Sequence, residues 1–189
     1  MKRRKFIVNS AKAVSGAYLG AVGFSAKSYA NIVGANDRVR VGVVGFSDRF
    51  RGAHLPSFMQ HHKELNFDIV AVSDIWKVRR EEGVAYLKQK MDHDIRGAVN
   101  NEALYAGKDI DAVFISTADF QHALHTIEAV KAGMDVYCEK PFAETMEDNR
   151  AALKAVKASK SIVQIGSQRR SGPNYTAAAD FIQSGKFGP

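Results

Sequence analysis

The sequence predicts an α/β fold in which a doubly wound parallel sheet carries helices on both faces. Short apolar runs rich in valine and isoleucine alternate with segments that have helical periodicity. The apolar runs end in glycine, serine or aspartate and are joined by helical segments rather than by tight hairpin turns, which is typical of parallel strands connected by crossover helices. Outside residues 1–30, no internal repeat or low-complexity tract interrupts this alternation.

The predicted elements follow one another in strict order. The first strand covers residues 38–45, because a β-branched run there ends in Gly45. Pro56 is expected in an early turn of the first helix, and Gly133 is expected as the C-terminal cap of the fourth. The later strands are predicted at residues 67–73, 111–116, 135–138 and 162–165, and the helices at residues 51–63, 78–90, 101–105, 120–132, 146–157 and 175–184.

The distribution of charge argues against a nucleic-acid-binding protein. The formal charge is +7 at pH 7, but residues 1–30 hold six of the 27 basic residues and no acidic residue. The rest of the chain therefore carries 21 basic and 20 acidic residues. This balance leaves almost no net charge to attract a phosphate backbone, so we expect no nucleic-acid partner.

Residues 1–30 are typical of an export signal. A basic start that contains Arg3, Arg4 and Phe6 precedes a mildly apolar stretch, and small residues near its end predict cleavage after Ala30. The paired arginines resemble the twin-arginine signal, by which a cargo crosses the membrane already folded. We therefore expect a periplasmic or secreted bacterial protein, with no membrane segment after cleavage and a linker at residues 31–37. A Sec signal and a basic amphipathic surface helix are the alternatives.

The turn after the first strand carries part of a dinucleotide-binding fingerprint. In that fingerprint, G-x-G-x-x-G, glycines let the backbone approach a pyrophosphate at a helix N-terminus. Gly45 occupies the first position, whereas Ser47 and Phe50 occupy the second and third. Ser47 is small and can hydrogen-bond a phosphate, but Phe50 could tighten or distort the turn. Gly45, Phe46 and Ser47 are predicted to bind a nucleotide, with a generic βα turn as the alternative.

Asp74 ends the second predicted strand, 29 positions after Gly45, compared with the usual spacing of about 20. An acidic residue at this point accepts hydrogen bonds from the adenosine ribose and repels a 2′-phosphate, which favours NAD over NADP. Three basic residues that follow, Lys77, Arg79 and Arg80, could instead offer NADP a partner. The remaining alternative is that Asp74 only caps the next helix.

Three motifs follow the later strands. Residues 115–123 read Ile-Ser-Thr-Ala-Asp-Phe-Gln-His-Ala, residues 137–143 read Tyr-Cys-Glu-Lys-Pro-Phe-Ala, and residues 164–171 read Gln-Ile-Gly-Ser-Gln-Arg-Arg-Ser. In order and separation they resemble the Gfo/Idh/MocA family, named after glucose–fructose oxidoreductase and inositol dehydrogenase. The family's E-K-P block is matched in full, whereas Ala118 replaces the proline of its T-P-D-x-x-H pattern. The resemblance runs from about Val39 to the end of the chain. The Gln-Arg-Arg-Ser run at residues 168–171, together with the export signal, resembles the secreted bacterial branch of the family.

The resemblance implies a Rossmann-type NAD(P)-binding domain at residues 38–170. Lys140 would lie beside the nicotinamide as the catalytic residue, Glu139 would contact the nicotinamide ribose, and the bond before Pro141 would be cis. A cation beside a developing alkoxide favours proton removal and hydride departure, while a solvated loop lysine is the alternative. The predicted cofactor-binding residues are Gly45, Phe46, Ser47, Asp74, Ser116, Thr117, Ala118, Asp119, His122, Glu139, Lys140 and Gln168.

No metal site is predicted. His122 and His125 lie three residues apart on one predicted helix without a third ligand, which favours helix-start and surface roles, and the resemblance places His122 at the cofactor edge. The single cysteine, Cys138, lies in an apolar run and is expected to be a buried structural thiol. Arg169 and Arg170 could contact cofactor or substrate, with a solvated charged loop as the alternative.

Family members carry a second α/β domain that covers the nicotinamide and supplies a catalytic histidine. Residues 171–189 would be only the start of that substrate domain, so the resemblance implies a truncated chain that binds nucleotide but lacks a complete active site. The whole protein, expected to be a homo-oligomer, would transfer hydride between the nicotinamide and a sugar or cyclic polyol. Because free NAD(P) is scarce outside the cytoplasm, the cofactor should be retained. An NAD-dependent redox-neutral glycoside-cleaving enzyme and a non-catalytic nucleotide-binding remnant are the alternatives.

Overall fold

The computed structural model describes residues 38–167, 170 and 172–188. The export signal and linker predicted for residues 1–37, and the cofactor-binding role predicted for Gln168, concern positions outside the described residues. The described part contains six β-strands, which are β1 (Val39–Val44), β2 (Phe67–Ser73), β3 (Arg96–Ala98), β4 (Ala112–Ile115), β5 (Asp135–Glu139) and β6 (Val163–Gly166).

A helix follows each of these strands. The helices are α1 (Leu55–His61), α2 (Lys77–Met91), α3 (Asn101–Ala106), α4 (His122–Lys131), α5 (Met146–Ala158) and α6 (Pro173–Gln183). Two of them have an irregular lead-in, because α1 continues a π-helical segment, Phe50–His54, and α4 continues a 3₁₀ turn, Asp119–Gln121. Among the described helices, none combines the length and the apolar character needed to span a membrane.

The six strands form one sheet in the order β3-β2-β1-β4-β5-β6, and every neighbouring pair is parallel. The prediction of a doubly wound parallel sheet is therefore confirmed. The chain leaves β1 toward β2 on one side and returns to β4 on the other side, so the strand order reverses between β1 and β4. Ligands of such sheets bind at this reversal, outside the carboxyl ends of the strands.

The hydrophobic core lies on both faces of the sheet. On one face Val113, Ile115 and Val136 pack with Leu104 of α3 and Ala129 of α4. The other face carries a second cluster, in which β1 and β2 pack against the first two helices through Val43, Ile69, Phe50, Leu55, Phe58 and Leu87. Because each strand of the centre buries side chains on both faces, its sequence is a continuous apolar run rather than an alternating one.

The sequence prediction missed one strand. Residues Arg96–Ala98 form β3 at the edge of the sheet, where they pair with Ala71, Val72 and Ser73 of β2. The strand has only three residues, and they include an arginine and a glycine, so no apolar run marks it. Arg96 lies there because its guanidinium binds the Asp109 carboxylate and the carbonyls of Ala103 and Leu104 at the end of α3.

Candidate functional site

The turn after β1 brings the backbone against the end of β4. Gly45 has a φ of +84°, in the left-handed region that favours glycine, and its N–H donates to the Ser73 carbonyl at 2.8 Å. A Cβ atom on Gly45 would lie 2.6 Å from Thr117 Cγ2, far inside the contact distance of two carbon atoms. Both the conformation and this close approach therefore require glycine where the fingerprint has its first glycine.

Ser47 caps the helix that starts after this turn. Its Oγ accepts the N–H of Phe50 at 3.1 Å and lies 3.0 Å from Ser116 Oγ at the end of β4. The N–H groups of Ser47, Asp48 and Arg49 have no acceptor among the hydrogen bonds of the described residues, as expected for the first turn of a helix. Three successive donors at a helix N-terminus form a site suited to a phosphate group.

Phe50, at the third glycine position of the fingerprint, points into the core rather than into the turn. Its side chain is fully buried, and its ring centroid lies 5.4 Å from that of Phe114 and 6.1 Å from that of Phe46. A π-helical segment begins at Phe50, after the turn. The ring of Phe46 is buried as well, against Gly83 of α2, so Phe46 offers a ligand its backbone and not its ring.

Asp74 fixes the geometry of the same turn. Its Oδ2 accepts the N–H of Phe46 at 3.1 Å, and its Oδ1 accepts the N–H of Trp76 at 2.9 Å. Each carboxylate oxygen has two lone pairs, so both can accept a further hydrogen bond from a ligand hydroxyl. The bond to Trp76 is a local turn before α2 and not a helix cap, because the N-cap of α2 is Trp76 and no side chain caps it.

The basic residues after Asp74 differ in what they can offer a ligand. Arg80 donates to the Asp74 carbonyl at 2.8 Å, and Lys77 lies 3.7 Å from Glu81 on the outer surface. Arg79 lines the cleft, but its guanidinium lies 3.1 Å from Asp48 and 3.2 Å from Glu82. The arginine in the lining of the cleft is therefore already paired with two carboxylates.

A cleft of about 750 Å³ lies along the carboxyl edge of the sheet, beside the reversal of strand order. Gly45, Phe46, Ser47 and Asp74 line it from the turns after β1 and β2. Ser116, Thr117 and Ala118 line it from the loop after β4. Seven of the predicted cofactor-binding residues thus meet in one cavity, although they come from three separate stretches of the chain.

Other predicted residues lie outside the lining of this cleft. Asp119 is exposed at the start of the 3₁₀ turn. Lys140 is exposed in the turn after β5, on the same edge of the sheet as the cleft but not in its wall, and the Lys140–Pro141 peptide bond is cis. Glu139 is buried, and its carboxylate accepts hydrogen bonds from Arg49 and from the N–H of Lys140.

His122 begins α4, as expected, but the expectation of a surface role was wrong. The side chain is 1% exposed, because its Nδ1 lies 2.6 Å from the Pro141 carbonyl and its Nε2 lies 3.2 Å from the Thr117 carbonyl. The short distance to Pro141 indicates that Nδ1 donates its proton there. His122 therefore ties the start of α4 to the turn that carries Lys140.

The far wall of the cleft was not found by sequence analysis. It is built from α3 and α4, where Asn101 bonds Ser73 at 2.9 Å, His125 at 2.7 Å and Glu128 at 2.9 Å. Burial lowers the pKa of His125, so this ring is neutral at pH 7. Trp76 also lines the cleft and is 60% exposed. These residues belong to no recognised motif. The sequence signal nearest to them is the pair of asparagines at positions 100 and 101, which is typical of a helix start.

In the described part of the chain, no group of three or more His, Cys, Asp or Glu side chains is placed so that it could hold a metal ion. The buried thiol expected at Cys138 is confirmed, since the residue is fully buried. Burial raises the pKa of the Cys138 thiol to about 11, so the thiol stays protonated at neutral pH.

Comparison with known proteins shows the family of the chain. The Gfo/Idh/MocA family model, described as an oxidoreductase family with an NAD-binding Rossmann fold, matches residues 39–167, which is well over half of the chain. The chain belongs to this family. Its members bind NAD(P), and the resemblance carried by the E-K-P block and the loop after β4 is thereby confirmed.

Two curated relatives illustrate the level of similarity. The chain is 31% identical over 159 residues to inositol 2-dehydrogenase of Rubrobacter xylanophilus, covering 82% of this chain and 42% of that protein. It is 33% identical over 109 residues to 1,5-anhydro-D-fructose reductase of Ensifer adhaerens, covering 57% of this chain and 32% of that protein. The chain therefore spans less than half the length of these relatives.

Two solved structures share the fold. WlbA dehydrogenase from Bordetella pertussis, crystallised with NADH and UDP-GlcNAcA, has a TM-score of 0.71 at 24% identity. The match covers 80% of this chain and 43% of the WlbA chain. The 3-ketoreductase KijD10 from Actinomadura kijaniata, crystallised with NADP, has a TM-score of 0.66 at 21% identity. The match covers 80% of this chain and 46% of the KijD10 chain. Both similarities concern the nucleotide-binding fold.

Proposed function

We propose that the chain is the nucleotide-binding part of an NAD(P)-dependent oxidoreductase that transfers hydride between the nicotinamide and a sugar or cyclic polyol. The observation that carries the proposal is the convergence of Gly45, Asp74 and Ser116 on one cleft beside the reversal of strand order. The names of the relatives, inositol 2-dehydrogenase and 1,5-anhydro-D-fructose reductase, support the substrate class.

The residues of the cleft fit a dinucleotide. Gly45 lets the backbone of the turn pack directly against Thr117, where a Cβ atom would collide, and this tight turn would present its N–H groups to a pyrophosphate. The unpaired N–H groups of Ser47, Asp48 and Arg49 would hold its oxygens. The Asp74 carboxylate would accept hydrogen bonds from the adenosine ribose, and the open wall at Trp76 would contact the adenine.

We propose that NAD is preferred over NADP. A 2′-phosphate placed beside the adenosine ribose would meet the negative charge of Asp74 and would need a free cation to offset it. Arg79 is the cation that lines this end of the cleft, but Asp48 and Glu82 already pair with it. Binding NADP would therefore require these ion pairs to break.

Lys140 is proposed as the catalytic residue. When bound, the nicotinamide accepts or returns a hydride. The Lys140 ammonium would stabilise the negative charge that develops on the reacting substrate oxygen and would orient that oxygen. Its position favours this role, because it is exposed at the carboxyl edge of the sheet and its backbone is held by Glu139.

The proposed location is the periplasm or the cell exterior, reached by twin-arginine export of the folded protein. The support is the basic start with Arg3 and Arg4 in residues 1–30. A folded-cargo route suits a protein that acquires its dinucleotide in the cytoplasm, because the fold must close around the cofactor before export. A tightly retained cofactor would also suit the redox-neutral cleavage of a glycoside.

The test of this function is hydride transfer by the product of the complete coding sequence, followed by nicotinamide absorbance with inositol and 1,5-anhydro-D-fructose as first substrates. We expect turnover in the wild-type protein and a loss of about a hundredfold or more in Lys140→Ala. Lys157→Ala, a change at an exposed lysine of α5, is the matched control. Equal turnover in Lys140→Ala and wild type would remove the catalytic role, and tight nucleotide binding without turnover on any sugar or polyol would favour a non-catalytic binding protein.

A further inference from the structure

A buried carboxylate joins the turn after β1 to the turn that carries Lys140. Glu139 is the last residue of β5 and is 4% exposed. Its Oε1 accepts a hydrogen bond from Arg49 Nε at 2.7 Å, and its Oε2 accepts the N–H of Lys140 at 2.6 Å. One side chain thus connects two parts of the chain that are 90 positions apart.

His54 covers a third side of this carboxylate. Its Nε2 lies 3.2 Å from Glu139 Oε1, and its ring centroid lies 4.8 Å from that of Phe114 and 6.1 Å from that of Tyr137. Burial lowers the pKa of His54, so the ring is neutral at pH 7. Arg49 is therefore the cation that balances the Glu139 carboxylate.

The charge of Glu139 depends on these neighbours. Burial alone would raise its pKa, but the hydrogen bonds from the Lys140 N–H and from Arg49, together with the Arg49 charge, keep that pKa below its usual value. Two other titratable groups of β5 interact with the Glu139 charge, the phenol of Tyr137 and the thiol of Cys138. Burial raises the pKa of both, so they are neutral at pH 7.

We propose that Arg49 is a positioning residue for the turn that carries Lys140, because it orients the Glu139 carboxylate, which in turn holds the Lys140 backbone. The inference rests on the role proposed for Lys140 and adds a residue outside both the E-K-P block and the glycines of the fingerprint. Arg49 suits this task because its backbone N–H belongs to the phosphate-binding turn while its side chain reaches β5. The same residue thereby sets the distance between the pyrophosphate site and the catalytic lysine, where small displacements are costly.

The Lys140 amide proton reports this arrangement directly. An N–H donated to a carboxylate at 2.6 Å resonates at low field in an NMR spectrum, and its chemical shift titrates with that carboxylate. In Arg49→Met we expect the Lys140 amide to move toward an ordinary amide shift and its titration midpoint to rise to higher pH. Arg40→Met is the matched control, because Arg40 and Arg49 are each 42% exposed and each pair with one acid, and Arg40 binds Asp111 at the opposite end of β1.

The outcomes separate this inference from the proposed function. A Lys140 amide with the same shift and midpoint in Arg49→Met as in wild type would overturn the inference. If Arg49→Met does not fold, Arg49→Lys replaces it, since lysine keeps the charge but loses the planar Nε donor; an unchanged Lys140 amide in that variant also overturns the inference. Failure of the proposed function has a different signature, namely that NAD leaves the Trp76 fluorescence of the wild-type chain unchanged, whatever the Lys140 amide shows.

Discussion

The Asp74 carboxylate and the Phe46 N–H are joined by a hydrogen bond of 3.1 Å, so the end of β2 holds the turn that follows β1. The consequence is that one side chain would serve two parts of the proposed dinucleotide site. It shapes the turn that would face the pyrophosphate, and its remaining lone pairs would accept hydrogen bonds from the adenosine ribose.

Coenzyme preference should therefore respond to Asp74 and to the carboxylates around Arg79. We expect Asp74→Ser to weaken NAD binding by about tenfold or more, because hydrogen bonds to a charged group are lost. NADP binding should improve in Asp74→Ser, because the negative charge beside the 2′-phosphate is removed. It should improve further when Glu82→Gln is added, because Arg79 then loses one of its two acidic partners. The measurement is a titration of Trp76 fluorescence, since Trp76 is the only tryptophan of the chain and lines the cleft.

The control for Glu82→Gln is Glu81→Gln, also added to Asp74→Ser. Glu81 is an exposed acid of the same helix, and it pairs with Lys77 instead of Arg79. If Glu81→Gln and Glu82→Gln change the NADP affinity of Asp74→Ser equally, the ion pairs of Arg79 do not set coenzyme preference.

Gly45 should be less tolerant of substitution than a glycine in open space. Gly45 and Gly133 have φ values of +84° and +82°, but a Cβ at Gly133 would meet nothing within 4 Å. Gly133→Ala should lower the free energy of unfolding by about 1–2 kcal/mol, the cost of the left-handed backbone. Gly45→Ala should cost more in urea denaturation, because its Cβ also meets Thr117.

Thr117→Ser removes the Cγ2 atom in that contact and should recover part of the stability lost in Gly45→Ala. Equal unfolding free energies for Gly45→Ala and Gly133→Ala would show that the close approach to β4 does not exist in solution.

Cys138 should react with a thiol reagent only after the protein opens. Its side chain is fully buried and burial raises its pKa to about 11, so little thiolate exists in the native state. The rate of labelling at pH 8 should track the unfolding equilibrium in a urea series. Rapid labelling without denaturant, with the native circular dichroism spectrum retained, would contradict the buried position of β5.

Stability should decline in acid, partly through Asp109. The hydrogen bond from Arg96 holds the pKa of Asp109 below its usual value. A depressed pKa in the folded state adds stability above the unfolded value of about 3.9, and that stability is lost as the pH falls through the folded value. Both side chains are about one-third exposed or more, so solvent screening limits the effect to less than about 1 kcal/mol.

Arg96→Met should therefore lower the urea midpoint at pH 7 and flatten its decline toward acid. The Asp109 contribution would be absent if the variant and the wild type showed the same decline between pH 7 and about pH 3.

The central strands and the glycine turn could be predicted from sequence because their signals are local. A continuous apolar run marks β1, Gly45 follows it directly, and Asp74 directly follows β2. The apolar run before the E-K-P block predicted that the block follows a strand, and in the structure it lies at the end of β5. In each case the residue type at one position limits the backbone or burial at that same position, so no knowledge of the tertiary structure is needed.

The rest depends on contacts between distant residues, which no local pattern records. The short strand β3 is held by the hydrogen bonds of Arg96, and the burial of His122 depends on carbonyls of Thr117 and Pro141. The far wall of the cleft likewise depends on Asn101 meeting His125 and Glu128. Nor could the sequence show that Arg49 pairs with Glu139 across 90 positions.

The most direct test of the central claim, that the loops after β1, β2 and β4 form one dinucleotide site, is a titration of the chain with NAD followed by Trp76 fluorescence. We expect saturable quenching in the wild-type chain, none in Gly45→Val, and wild-type quenching in Gly133→Val, which changes a distant glycine of similar φ. Quenching that is equal in Gly45→Val and wild type, or NAD binding that leaves Trp76 fluorescence unchanged, would contradict the account.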